Sequence, residues 1–128
     1  MNTTKTAVKN ILIVEDDYDM RQLYQLFFKG LEDRYVITME DKAEQALRML
    51  ANKHFDLIIL DIIMEPLPGD TFFICARSYK KTMFLPILVV SVLSPSVLLN
   101  LKKINHAEFI QKPVTQEALM HKIKEMIG

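Results

Sequence analysis

The sequence predicts an α/β fold, a doubly wound five-stranded parallel sheet with helices on both faces. Five short aliphatic runs alternate with five amphipathic stretches along the chain. The central runs are apolar at successive positions, not at every second one, as in strands covered on both faces. Strand–helix alternation calls for right-handed crossovers, which wrap helices over both faces of a parallel sheet. The 128 residues suffice for one compact domain and not for two ordinary ones.

The first strand is Ile11 to Val14 in "NILIVEDD", and it ends at acids. Asp16, Asp17 and Asp19 lead into "MRQLYQLFFKGL", where Met20, Leu23, Phe27 and Leu31 share one helical face and the acids suit the helix dipole. "YVITM" is a second strand, and "DKAEQALRMLANK" a second helix with Ala43, Ala46, Leu47 and Leu50 on one face. "DLIILD" is a third strand, apolar throughout until Asp61. "MEPLPG" is a loop by its prolines and glycine. "DTFFICARSYKK" is a third helix with Asp70 or Thr71 near its cap. "PILVVS" is a fourth strand, and "PSVLLNLKKIN" a fourth helix with Pro95 at its start. "AEFIQKP" is a short fifth strand. "TQEALMHKIKEMIG" is the last helix, capped by Thr115 and stopped by Gly128.

Half the residues are apolar, enough for a core, and 16 basic residues balance 16 acidic ones. No basic excess argues for nucleic acid, and no acidic run argues for a disordered tail. Cys75 is the only cysteine, so it forms no internal disulfide and reads as a buried structural thiol. That usage suits a reducing compartment. The polar start lacks a signal-peptide core, and Asp61, Pro86 and Ser91 break the apolar stretches short of a membrane span. The expectation is a cytoplasmic protein, with a flexible polar leader over 1–8 and the domain over 9–128.

Ligands of such a sheet bind outside the carboxyl ends of its strands. There strand one ends in Glu15 and Asp16, strand three in Asp61, strand four in Ser91, and strand five in Lys112 before Pro113. A carboxylate inside an apolar run is costly unless compensated. Three carboxylates together raise at least one pKa unless a counter-charge is present. Mg2+ answers this, because it takes oxygen ligands and keeps several waters. With the Lys112 ammonium and the Ser91 hydroxyl, the set suits a phosphoryl group received on a carboxylate. Plainer readings stand beside this one. Asp17 and Asp19 are ordinary helix-start acids. Ser91 or Lys112 alone means little. Phe109 fits a core as well as a moving part. His54, His106 and His121 read as surface residues, and the methionines as core filler.

These four strand ends resemble the receiver domain of two-component response regulators, the stand-alone chemotaxis type included. "ILIVEDD" is similar to the family's acidic-pair strand, "LIILDIIM" to its phosphoacceptor strand, "PILVVS" to its hydroxyl-bearing strand, and "EFIQKP" to its lysine–proline end. The match runs from Lys9 to Gly128. It implies a flavodoxin-like strand order 2-1-3-4-5. It implies that Asp61 accepts phosphate from a histidine kinase or phosphotransfer protein. Glu15, Asp16, Asp61 and the backbone carbonyl of Ile63 then hold Mg2+, and Lys112 contacts the phosphoryl group. Ser91 and Phe109 become the switch pair, and the bond to Pro113 is cis. The output is the surface of helix four, strand five and helix five, which binds a downstream partner, a fused output domain or a second copy.

The chain departs from the family pattern at a few places. Glu65 stands where proline is frequent, with Pro66 after it, and "INHAEF" lacks the usual glycine. Val92 follows the hydroxyl where Ala or Gly is common, so crowding of the phosphoryl entrance is expected. Ile63 and Leu93 flank the site and cannot orient an attacking water, which predicts a long-lived phosphate. The competing readings are a phosphorylation-independent protein-binding module and a small aspartate-dependent phosphatase. The second lacks its acid–base residue, since Ile63 stands two residues after Asp61.

Overall fold

A computed structural model describes residues 7–61, 69–92 and 107–128. Its elements are β1 (Lys9–Val14), α1 (Tyr18–Phe28), β2 (Tyr35–Glu40), α2 (Ala43–Asn52), β3 (Leu57–Leu60), α3 (Gly69–Ser78), β4 (Ile87–Ser91), β5 (Ala107–Gln111) and α4 (Gln116–Ile127). The helix expected over 95–105 and most of the "MEPLPG" loop lie outside the described residues. All five strands are parallel, in the order β2-β1-β3-β4-β5.

Successive side chains of a strand point to opposite faces, and here both faces are dry. Leu12 and Val14 of β1, Ile58 and Leu60 of β3, and Ile87 and Val89 of β4 pack with Ala43, Ala46 and Leu50 of α2 and Phe72 and Ala76 of α3. The alternate residues, Ile11, Ile13, Leu57, Ile59, Leu88 and Val90, pack with Met20, Tyr24 and Phe28 of α1 and Leu119 and Ile123 of α4. This explains the unbroken apolar runs. The sheet's two edges differ from its middle: β2 buries only Tyr35 fully, and β5 buries no residue fully.

Local chemistry sets the helix ends. Asp17 caps α1 by accepting from the Met20 N–H at 2.9 Å, and Thr115 caps α4 by accepting from the Ala118 N–H at 3.1 Å. Gly30 follows α1 at φ +87°, a conformation that costs glycine little. Three expectations need correction. The stripe α1 buries is Met20, Tyr24 and Phe28, and Leu23, Phe27 and Leu31 flank it half-buried. Helix α3 begins at Gly69, ahead of Asp70. Cys75 is half-buried, because Phe72 and Ala76 form the inward stripe of α3 and leave it on the shoulder. Among the described residues, no helix is long and apolar enough to cross a membrane.

Candidate functional site

Backbone hydrogen bonds carry the ladder one residue past the strand ends. The Glu15 N–H donates to the Glu40 carbonyl at 3.0 Å, the Asp61 N–H to Val14 at 3.2 Å, and the Lys112 N–H to Ser91 at 2.7 Å. The residues after β1, β3 and β5 therefore sit at fixed heights along one edge. Glu15 is 1% exposed and Asp61 8%, and Ser91 is fully buried, while Asp16 faces solvent. Carboxylate oxygens of Glu15, Asp16 and Asp61 lie within 4.8 Å of one another.

Lys112 reaches back over this edge. Its Nζ lies 3.0 Å from Glu15 Oε1 and 2.9 Å from Asp61 Oδ2. One ammonium is shared by two buried carboxylates with Asp16 close by, and the cost of this shows in Glu15. Burial first, and then the Asp61 charge, push its carboxyl up to about 7 against the pull of Lys112. Burial alone lowers the Lys112 pKa, but the hydrogen bonds and charges of Asp61 and Glu15 prevail and hold it above its ordinary value. Beneath them, burial and the same two carboxylates raise the phenol of Tyr24.

The residues present fit a hard divalent cation. All three side chains offer oxygen, their oxygens gather at one point of the edge, and burial beside the Asp61 charge makes the ionised form of Glu15 costly without added positive charge. Glu15, Asp16 and Asp61 would hold Mg2+, which supplies charge balance for anionic oxygens at this edge. The backbone carbonyl of Ile63, the remaining expected ligand, lies outside the described residues, as do Glu65, Leu93 and His106.

Around the acids, Val92 is 60% exposed, and the Gln111 side-chain amide donates to its carbonyl at 3.2 Å. Phe109 is half-buried against the core on the α2–α3 side. The Lys112–Pro113 peptide bond is cis. His54 and His121 are solvent-exposed, each beside a carboxylate. Two residues near the site carry no sequence signal. Arg21 donates from Nη1 to the Glu15 carbonyl at 3.0 Å, and Gln111 holds Val92. Both act on backbone carbonyls, which any sequence offers. Position alone could have pointed to Arg21, which sits one helical turn past the capping Asp17.

The chain is similar to proteins of known role. PetR of Rhodobacter capsulatus is 33% identical over 82 residues, covering 64% of this chain and 32% of that protein. The sensor histidine kinase TmoS of Ectopseudomonas mendocina is 28% identical over 121 residues, covering 92% and 12%. The transcriptional regulatory protein FlgR of Helicobacter pylori is 28% identical over 114 residues, covering 88% and 28%. The chain thus spans a third or less of the length of these relatives. Among solved structures, the chemotaxis response regulator CheY4 of Vibrio cholerae superposes with a TM-score of 0.85 at 23% identity, covering 94% of this chain and 99% of that one. The receiver domain of sensor histidine kinase PA1611 from Pseudomonas aeruginosa superposes at 0.83 and 21% identity, covering 95% and 99%; it was solved with a magnesium ion coordinated in the active site cleft. At these identities the structures attest the fold. A family model, the response regulator receiver domain, matches residues 11–124. That match runs from β1 into α4 and takes in every strand end on the acidic edge, so the chain belongs to the receiver domains of two-component response regulators.

Proposed function

We propose that Asp61 accepts a phosphoryl group from a histidine kinase or phosphotransfer protein in a Mg2+-dependent step, and that the loaded chain switches a partner-binding surface. The observation that carries this reading is the Asp61 carboxylate at the end of β3, 2.9 Å from the Lys112 ammonium and grouped with Glu15 and Asp16. An Asp61 oxygen bonds to phosphorus as the P–N bond of the donor phosphohistidine breaks, and the imidazole leaves with the electron pair. Lys112 stays against the new phosphoryl oxygens, and Ser91 donates its hydroxyl to one of them. Movement of Ser91 draws Phe109 inward and alters the face of β5 and α4, the part of the expected output surface that falls within the described residues. That face then binds a downstream protein, a fused output domain or a second copy. Relatives named as a sensor histidine kinase and a transcriptional regulatory protein support partners of this kind. The chain promotes its own phosphorylation and does not turn over substrate. Its single cysteine suits the cytoplasm.

Exposure of Val92 favours an open entrance over a blocked one. Acetyl phosphate with Mg2+ should add one phosphoryl group to the wild type and none to Asp61→Asn, read by intact mass. Labelling of Asp61→Asn would overturn the assignment. If beryllofluoride and Mg2+ also fail to bind the wild type, the chain is a phosphorylation-independent binding module instead.

A further inference from the structure

We infer that Arg21 is a positioning residue for the metal site: it holds the peptide plane between Glu15 and Asp16 and so aims the Asp16 carboxylate. This rests on the receiver reading above.

Three residues, Glu15, Asp16 and Asp17, join β1 to α1. The outer two are tied down. Glu15 bonds through its N–H to Glu40 and through its carboxylate to Lys112 and to the Asp17 N–H. Asp17 caps α1 through the Met20 N–H and accepts from the Arg21 N–H. Asp16 stands between them, exposed, and among the described residues its carboxylate has no hydrogen bond or ion pair. No side-chain partner among the described residues helps to aim it, so the backbone at Asp16, which sets the direction of its Cα–Cβ bond, decides how readily it reaches the site. The Glu15 carbonyl lies in the same rigid plane as the Asp16 N–H. Arg21 Nη1 donates to that carbonyl at 3.0 Å. A charged donor makes this a strong hydrogen bond, and it sets the ψ of Glu15 and the φ of Asp16 together. The arm that makes it is itself held, half-buried, with the guanidinium 5.8 Å from the centre of the Tyr18 ring.

Electrostatics and positioning predict opposite signs. Arg21 is a cation near a cation site, so charge alone makes Mg2+ bind more tightly once it is removed. Positioning makes binding weaker, and residues that orient metal ligands typically matter about tenfold or more in affinity.

The test is calorimetric titration of the full chain with Mg2+, alongside melting temperatures. Arg21→Ala should bind about tenfold more weakly than wild type. Arg21→Gln, which falls short of the carbonyl, should shift the same way, and Arg21→Lys, which can still reach it, should recover part of the loss. With acetyl phosphate, the Mg2+ concentration for half-maximal labelling should rise in Arg21→Ala while the maximal rate stays that of wild type. Binding by the folded Ala or Gln variant that is as tight as wild type, or tighter, overturns the inference. So does a lowered maximal rate at unchanged half-saturation. A wild type that binds no Mg2+ overturns the receiver reading itself.

Discussion

Between its ordinary pKa of 4.5 and its folded value of about 7, the Glu15 carboxyl keeps its proton in the folded chain and loses it in the unfolded one. The folded state then binds more protons, so stability falls as pH rises through this window, by about 3 kcal/mol in all. Urea midpoints measured in EDTA should decline across it. Glu15→Gln should flatten the decline, and saturating Mg2+ should abolish it in wild type; a flat wild-type profile in EDTA contradicts the raised Glu15 pKa. Asp56 acts on the acid side. Burial opposes its ionisation, but the Asn10 N–H and His54 prevail and hold its pKa below 3.8, so its stabilisation appears above 3.8 and fades as pH falls through the folded value. Lys112→Met should cost about 3 kcal/mol near neutral pH, because it removes the ammonium that buried Glu15 and Asp61 share. Chemical denaturation would show this, and Mg2+ should restore stability without restoring phosphotransfer. The acids and the lysine were legible in the sequence because each terminates an apolar run at the edge where ligands bind. Arg21 was not, since nothing in a sequence distinguishes the carbonyl it grips.

Helix α1 shows what periodicity leaves open at the scale of an element. Leu23, Tyr24, Leu26, Phe27, Phe28 and Leu31 make the apolar band wide, and two stripes fit it equally well. The structure buries Tyr24 and Phe28 and turns Leu26 outward, 64% exposed. Phe28→Ala should therefore cost about 3–4 kcal/mol, whereas Leu26→Ala should stay within about 0.5 kcal/mol. Comparable losses by urea denaturation would mean the helix is rotated from the position described. The caps were easier to read, because a side-chain oxygen before an apolar-periodic run has a specific local role. Asp17→Ala and Thr115→Ala should each cost about 1 kcal/mol. Central strands were legible for a different reason: burial on both faces leaves no polar position to confuse the pattern. Cys75 was misjudged because residue type predicts average burial, not a place on a helix circumference.

For the whole molecule, one sheet separates two apolar layers and gathers its polar chemistry at one end. Changes at Asp61 should therefore travel along that end before they cross the sheet. Beryllofluoride with Mg2+ should shift the amide signals of Ser91, Phe109 and Lys112 and leave residues 53–56 nearly unmoved at the opposite edge. Equal shifts at both edges would mean that loading rearranges the core and not the rim. The strand alternation made the layered fold readable, but side-chain reach, as in Arg21 and Gln111, depends on rotamers that no periodicity encodes.

Lys112 also sets an order in time. It meets Glu15 across 97 residues of chain and Asp61 across 51. A ribosome completes both acids long before the ammonium that reconciles them. Until β5 docks, Glu15 and Asp61 lack the ammonium they share. The ion-paired edge is thus complete only once the fifth strand is in place, and a chain released before Lys112 lacks it.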